Sequence, residues 1–182
     1  MIQQAQIMIQ LEYLLYKFTK LLRRNLLFKK IKFRLSSHVF IDYFTGFEKL
    51  EVVKKIFGSE TKKILSGLVI DLTFFGGYMY VDENNGHLVI SSRYLKKGKR
   101  IDIYLDLIHE LYHIKQFLNG RKLFDNNYNY VDRPTEIEAY TYTIREARRL
   151  GLSDKRILDY LKTEWINSND LKRLAKKLKV KY

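Results

Sequence analysis

The sequence predicts an α+β fold: a small two- to three-stranded sheet packed on a helix carrying His109-Glu110-Leu111-Tyr112-His113 and on a following glutamate-bearing helix, with extra helices at both ends. Three observations predict it. Apolar residues recur at helical spacing near the N-terminus, a β-rich and turn-rich texture is confined to about residues 68–92, and everything from about Asp102 onward has helical periodicity again. A chain of 182 residues, 46% of them hydrophobic, can enclose one ordinary core. We therefore expect a basic amphipathic N-terminal helical segment over 1–45 and one domain over 46–182.

The first element is a long helix from Ile2 to about Phe28. Ile7, Leu11, Leu14, Leu15, Phe18, Leu21, Leu22 and Leu26 form its apolar stripe, opposite Lys17, Lys20, Arg23 and Arg24. Phe47 to Phe57 reads as a shorter helix stopped by Gly58. Leu68 to Phe75 is a strand, broken by Gly76-Gly77; Tyr78 to Asp82 is a second, and Asn85-Gly86 turns the chain into His87 to Ser92. The motif helix follows from Asp102 to Leu118 and ends at Asn119-Gly120. After a loop over 121–132, Pro134 opens a helix that continues to Leu150, because a first helical turn tolerates a residue without an N–H. Ser153 and Ser168 are expected N-caps of two last helices, over 154–166 and 169–181.

Composition removes several chemistries. The chain has no cysteine, which excludes disulfides, thiolate metal sites and a cysteine nucleophile, so any metal must be held by His, Asp or Glu. Every long apolar run is interrupted by charge, and the first residues lack the basic start and small-residue cleavage site of a secretory signal; we expect no transmembrane segment and a cytoplasmic protein. The formal charge of +14 gathers at Lys17 to Arg34, Lys96 to Arg100 and Lys172 to Lys181. Such clusters suit an anionic partner, either nucleic acid or an acidic surface, and equally the solvated faces of helices.

The chemistry-bearing residues lie on the motif helix. His109 and His113 are four apart, so on a helix they project from one face, one turn from each other, within reach of one zinc ion. Glu110 falls beside them as a candidate general base for metal-assisted hydrolysis. On a helical wheel Asp106, His109, Glu110 and His113 fall within an arc of about 100°, and apolar residues fill nearly all the rest. A helix apolar on its other sides is a buried one, and burying two imidazoles and two carboxylates is costly unless they are paired or bind metal.

A catalytic zinc needs a third protein ligand and one open position. The remaining histidines, His38 and His87, both precede the motif, which leaves a downstream carboxylate. Glu136 and Glu138 stand at the start of the next helix; Asp125 and Asp132 are weaker candidates. Thr135 with Glu138 three residues on fits a capping box, which occupies Glu138 and leaves Glu136 as the preferred ligand. Asp106, one turn before His109, and the hydroxyl of Tyr140 are candidates to orient an imidazole, and Tyr128, Tyr130, Arg133 and Tyr142 are candidates to polarise a carbonyl.

His109-Glu110-Leu111-Tyr112-His113 followed by Glu136-Ile137-Glu138-Ala139 resembles the gluzincins, zinc peptidases with two histidines on one helix and a glutamate on the next, and is most similar to the minigluzincins. The resemblance covers roughly Gly67 to Leu150. It implies a zinc metallopeptidase-like domain with His109, His113 and Glu136 as ligands of Zn2+, Glu110 activating a zinc-bound water against peptide bonds, and His87 to Ser92 as the edge strand along which a peptide or protein substrate pairs. Where those families place Asp or Asn four residues after the glutamate, this chain has Tyr140. The alternative reading is a basic nucleic-acid or membrane-surface binding protein with a structural or vestigial zinc site. In a third, the basic N-terminal helix or C-terminal tail covers the cleft.

Overall fold

A computed structural model describes residues 34–74 and 77–182. The expected helix over 2–28 lies outside the described residues. The sheet has four strands: β1 (Arg34–Val39), β2 (Val69–Thr73), β3 (Met79–Val81) and β4 (Leu88–Ser91), in the spatial order β1-β2-β4-β3. β1 and β2 are antiparallel, β2 and β4 parallel, and β3 and β4 an antiparallel hairpin. The class is α+β, as expected, with one strand more than the sequence indicated. β1 reads Arg-Leu-Ser-Ser-His-Val and carries an irregular register between Arg34 and Ser36, so it offers none of the apolar alternation by which a strand is recognised.

That strand moves the domain boundary. β1 pairs with β2, and Phe40, which follows it, is fully buried, so residues 34–45 belong to the same core as the rest and the expected start at 46 is too late. The topology also corrects the edge: β4 is internal, and among the described residues β3 and β1 are the edge strands, β3 being the one beside β4. The hydrogen bonds from the Ser91 amide to the Tyr78 carbonyl and from the Asp82 amide to the His87 carbonyl turn Tyr78 and Asp82 toward β4. By alternation the backbone of Met79 and Val81 faces the open edge. The Asn85-Gly86 hairpin is present, with Gly86 at a φ of 71°.

Helices cover one face of the sheet and extend beyond it. α1 (Phe40–Tyr43), α2 (Glu51–Phe57) and α3 (Thr61–Gly67) fill the connection from β1 to β2; the expected helix over 47–57 divides into a 3-10 turn over Phe47–Lys49 and α2, which stops at Gly58 with φ 62°. α4 (Ser92–Lys97) is capped by Ser91, whose hydroxyl accepts from the Tyr94 amide. α5 (Arg100–Leu118) is the motif helix, and its chain leaves through Gly120 at φ 71°. α6 (Pro134–Arg149) begins on Pro134; α7 (Asp154–Leu161) is capped by Ser153; α8 (Ser168–Lys177) is capped by Asn167 and not by Ser168. Both final helices end earlier than their periodicity indicated.

α5 is the wall shared by two cores. Leu107, Ile108, Leu111 and Ile114 pack with the inner face of the sheet, Ile70, Leu72, Leu88 and Ile90 among them. Leu105 instead joins Tyr140, Ile144, Ile157, Leu161 and Leu174 from the three last helices. A fully buried Leu or Ile contributes roughly 1.5–3 kcal/mol by leaving water, which is why an α5 apolar on two sides is held firmly and why its one polar stripe is held with it. The C-terminal segment docks on the second core through Leu171, Leu174, Leu178 and Val180, with the Arg148 guanidinium donating to the Lys179 carbonyl. It therefore does not cover the cleft described below. No helix among the described residues is long and apolar enough to cross a membrane.

Candidate metal centre

Three side chains from two helices converge on one point. His109 and His113 come from successive turns of α5, and Glu136 from the first turn of α6, which packs along it. The two Nε2 atoms are 2.9 Å apart, and Glu136 Oε2 lies 3.3 Å from that of His109 and 3.5 Å from that of His113. All three residues are buried, at 6%, 5% and 3% exposure. These three side chains are a group able to hold a metal ion. Atoms bound at about 2.0–2.2 Å to a tetrahedral ion stand about 3.3 Å apart, so the observed triangle has the size such an ion requires. Glu136 Oε2, buried without a hydrogen-bond partner among the described residues, is the kind of atom a cation would satisfy.

The preference for Glu136 over Glu138 agrees with this geometry, but not for the reason the capping box offered. No side chain caps α6: the Thr135 hydroxyl donates to the Leu123 carbonyl instead. Glu138 accepts from Gln116 Nε2 at 3.0 Å and pairs with Arg121, which occupies it on the far side of the helix contact. Arg133 stands 3.6 Å from Glu136 Oε1, so one carboxylate oxygen faces a guanidinium and the other the imidazoles. Asp125 and Asp132 take no part; Asp132 pairs with Arg173 and Lys177.

The partners of the two imidazoles differ. Gln116 was not anticipated, although its spacing of seven from His109 and three from His113 puts it on the same helix face. Its Nε2 donates to the Thr135 carbonyl at 3.1 Å and to Glu138, which are both acceptors, so Oε1 is the end that meets His113 Nδ1 at 2.7 Å. His113 must therefore carry its Nδ1 hydrogen, leaving Nε2 for the centre. His109 Nδ1 is buried with no hydrogen-bond partner among the described residues. Its ring lies against Tyr140, centroids 4.4 Å apart, and the Tyr140 hydroxyl goes to that of Tyr130 at 2.8 Å. Neither Asp106 nor the Tyr140 hydroxyl orients an imidazole, as the sequence had allowed. Asp106 accepts from the hydroxyls of Tyr94 and Tyr160.

Electrostatics reflect this crowding. Burial lowers His109. Burial also pulls His113 down, but Glu136, Glu110 and Gln116 outweigh it and raise the group to about 9. Burial pushes Glu136 up, but the two imidazoles beside it outweigh that and hold it well below the usual carboxylate range. Burial pushes Glu110 up to about 8, against the pull of His113 and of the Val81 backbone amide on β3. Burial likewise raises Asp106 to about 6, opposed by its two tyrosine hydroxyls.

The centre opens on a cleft of about 850 Å³. His109, Glu110, Tyr130 and Tyr140 line it at the centre; Gly77, Tyr78 and Met79 line it from the sheet edge. Of the residues considered for polarising a carbonyl, Tyr130 is here and Arg133 braces Glu136, whereas Tyr142 packs on Tyr112 away from the cleft and Tyr128 is exposed. His38 and His87 are elsewhere, bonded to Ser36 and Asp71. No protein-family model, no curated protein and no solved structure matches this chain.

Proposed function

We propose that the protein is a zinc-dependent hydrolase of peptide bonds, of the gluzincin kind. The observation that carries this reading is the triangle of His109 Nε2, His113 Nε2 and Glu136 Oε2, 2.9, 3.3 and 3.5 Å on its sides, at the wall of an open cleft. The donor set of two imidazoles and a carboxylate, with no thiolate, matches catalytic rather than structural zinc. A zinc ion held there would supply Lewis acidity, polarising a carbonyl and acidifying a water molecule.

The chain's own residues have the remaining roles. Gln116 and Tyr140 hold the two imidazoles in place, and Arg133 keeps Glu136 turned. Glu110, in the cleft between His109 and the β3 edge, is the group that takes a proton from the attacking water and hands it to the leaving amine. Its carboxyl, lifted toward neutrality by burial, can exist in both forms. Tyr130, whose hydroxyl is held by that of Tyr140, can donate to the carbonyl oxygen as charge develops on it. The outward backbone of Met79 and the Val81 carbonyl give an extended peptide a strand to pair with, the Val81 amide being engaged by Glu110, which makes β3 the substrate-aligning edge in place of β4.

The test is metal content and turnover on the same preparation. Purified full-length protein should carry one zinc per chain and cleave a denatured protein or a quenched peptide substrate. Glu110→Gln should keep the zinc and lose turnover by about 100-fold or more. Full activity in Glu110→Gln, or a chain that takes up no zinc, would reject the reading.

A further inference from the structure

The metal-centre cleft has one wall of a single charge. Arg93, Lys96, Lys97, Lys99 and Arg100 fall within eight residues that contain no carboxylate, and all five are exposed. Elsewhere several cations are matched: Lys54, Lys63, Arg121, Arg149, Arg173 and Lys177 each pair with an acidic side chain, and those unmatched among the described residues, such as Lys55, Lys62 and Lys155, do not line the cleft. Among the described residues none of the five has an ion pair. Three of them, Arg93, Lys97 and Lys99, line the cleft together with His109 and Glu110.

This wall is fixed relative to the centre. Arg93 and Lys97 flank Tyr94, whose hydroxyl donates to Asp106, one turn before His109 on α5, and whose ring packs against Tyr78 at 4.8 Å. α4 cannot shift along the cleft without breaking both contacts. α7 and the connection after it bring mixed charge to the same cleft, Asp159 with Lys162 and Glu164, and Asp102, which also lines it, is already paired with Arg156. The cleft is thus polar in charge from one wall to the other. Unpaired cations beside a low-dielectric cavity focus a positive potential into it and favour an anionic occupant.

We infer that α4 and the turn after it bind an acidic segment of the substrate, so that this protein acts on peptides with Asp or Glu residues near the bond cleaved. The inference rests on the peptidase reading and adds the substrate class. A peptide fits better than a nucleic-acid strand, which would need free ring faces to stack its bases. Tyr78 packs edge-to-face on both Tyr94 and Trp165, at 77° and 67°, so these rings are already engaged with one another in a crossed arrangement and not set out in parallel as a stacking platform.

Trp165 is the chain's single tryptophan and lines the cleft, so its fluorescence reports what enters. The probes are three tryptophan-free peptides of equal length and identical apolar residues, with Asp, Ser or Lys at the variable positions. They are titrated into the full-length zinc-loaded Glu110→Gln protein, which leaves them uncut. The Asp peptide should bind about tenfold more tightly than the Ser peptide, and that preference should shrink as salt rises. The triple change Arg93→Glu, Lys97→Glu, Lys99→Glu should reverse the order, whereas Lys172→Glu with Lys176→Glu on α8 should not. Equal affinity for the three peptides in the unreversed cleft, or a preference that survives the reversal, overturns the inference. So does tighter binding of a single-stranded oligonucleotide that the reversal abolishes. If wild-type protein cleaves no peptide while the acidic preference and its reversal persist, the peptidase reading fails and the anion-binding wall stands.

Discussion

Gln116 spans the contact between α5 and α6, and its three hydrogen bonds decide which nitrogen of His113 is free. Gln116→Leu removes the bond to Nδ1 and should weaken zinc binding about 10- to 100-fold, as loss of such supporting partners does elsewhere; competition against a chromophoric chelator measures it. Gln116→Glu keeps an acceptor for Nδ1 and should recover part of the loss, and an affinity unmoved by either change would mean the tautomer is set otherwise. Asp106 allows a pH test. Its folded value of about 6 lies above its ordinary 3.8, so the fold binds this proton more tightly than the unfolded chain does. Stability is then fully favoured below pH 3.8 and falls as pH rises toward 6, by roughly 3 kcal/mol from this one group. Asp106→Asn should lack that fall, so its urea-unfolding free energy should gain on wild type across the window; parallel profiles would contradict the assignment. At this scale the sequence was informative where spacing governs. His109, Glu110, His113 and Glu136 come together as their helical positions implied, while Gln116 and the ring contact of Tyr140 depend on the crossing of two helices, which no local pattern encodes.

The hairpin and the motif helix are fastened to each other at one glycine. Gly86 has φ 71°, and a Cβ there would lie 2.4 Å from the Phe117 ring, one turn beyond His113. Gly86→Ala therefore faces both a disfavoured backbone region and a clash, and should cost about 1–3 kcal/mol in chemical denaturation. Because β3 is the hairpin's outer strand, the same change should also raise KM for peptide substrates, which an effect on stability alone would not do. Elements with strong local signals, the Asn-Gly hairpin, Pro134 at a helix start and the glycine stops at Gly58 and Gly120, were legible. β1 was not, since its polar residues become a strand only by pairing with β2. The strand order was not legible either: β4 inserts beside β2, which leaves β3 and not β4 at the edge.

Over the whole molecule, the proposed centre joins α5, which is shared by both cores, to α6, whose Tyr140, Ile144 and Ala147 lie in the second. A ligand that binds only the folded state stabilises it by mass action, so zinc should raise the thermal midpoint of the protein and chelation should lower it. Glu136→Ala, lacking one of the three donors, should show a much smaller difference between the two conditions. A midpoint indifferent to metal in the wild type would argue against binding at this place.

The two histidines of α5 and the glutamate of α6 are separated in sequence by the whole stretch from residue 114 to 135, most of it the irregular connection after Gly120. An ion gripped from both sides would act as a clasp on that loop, removing the freedom its ends otherwise have. Opening of the connection would then be governed by metal occupancy, and the loop's susceptibility to nicking by an added protease would rise on chelation before the sheet itself loosens.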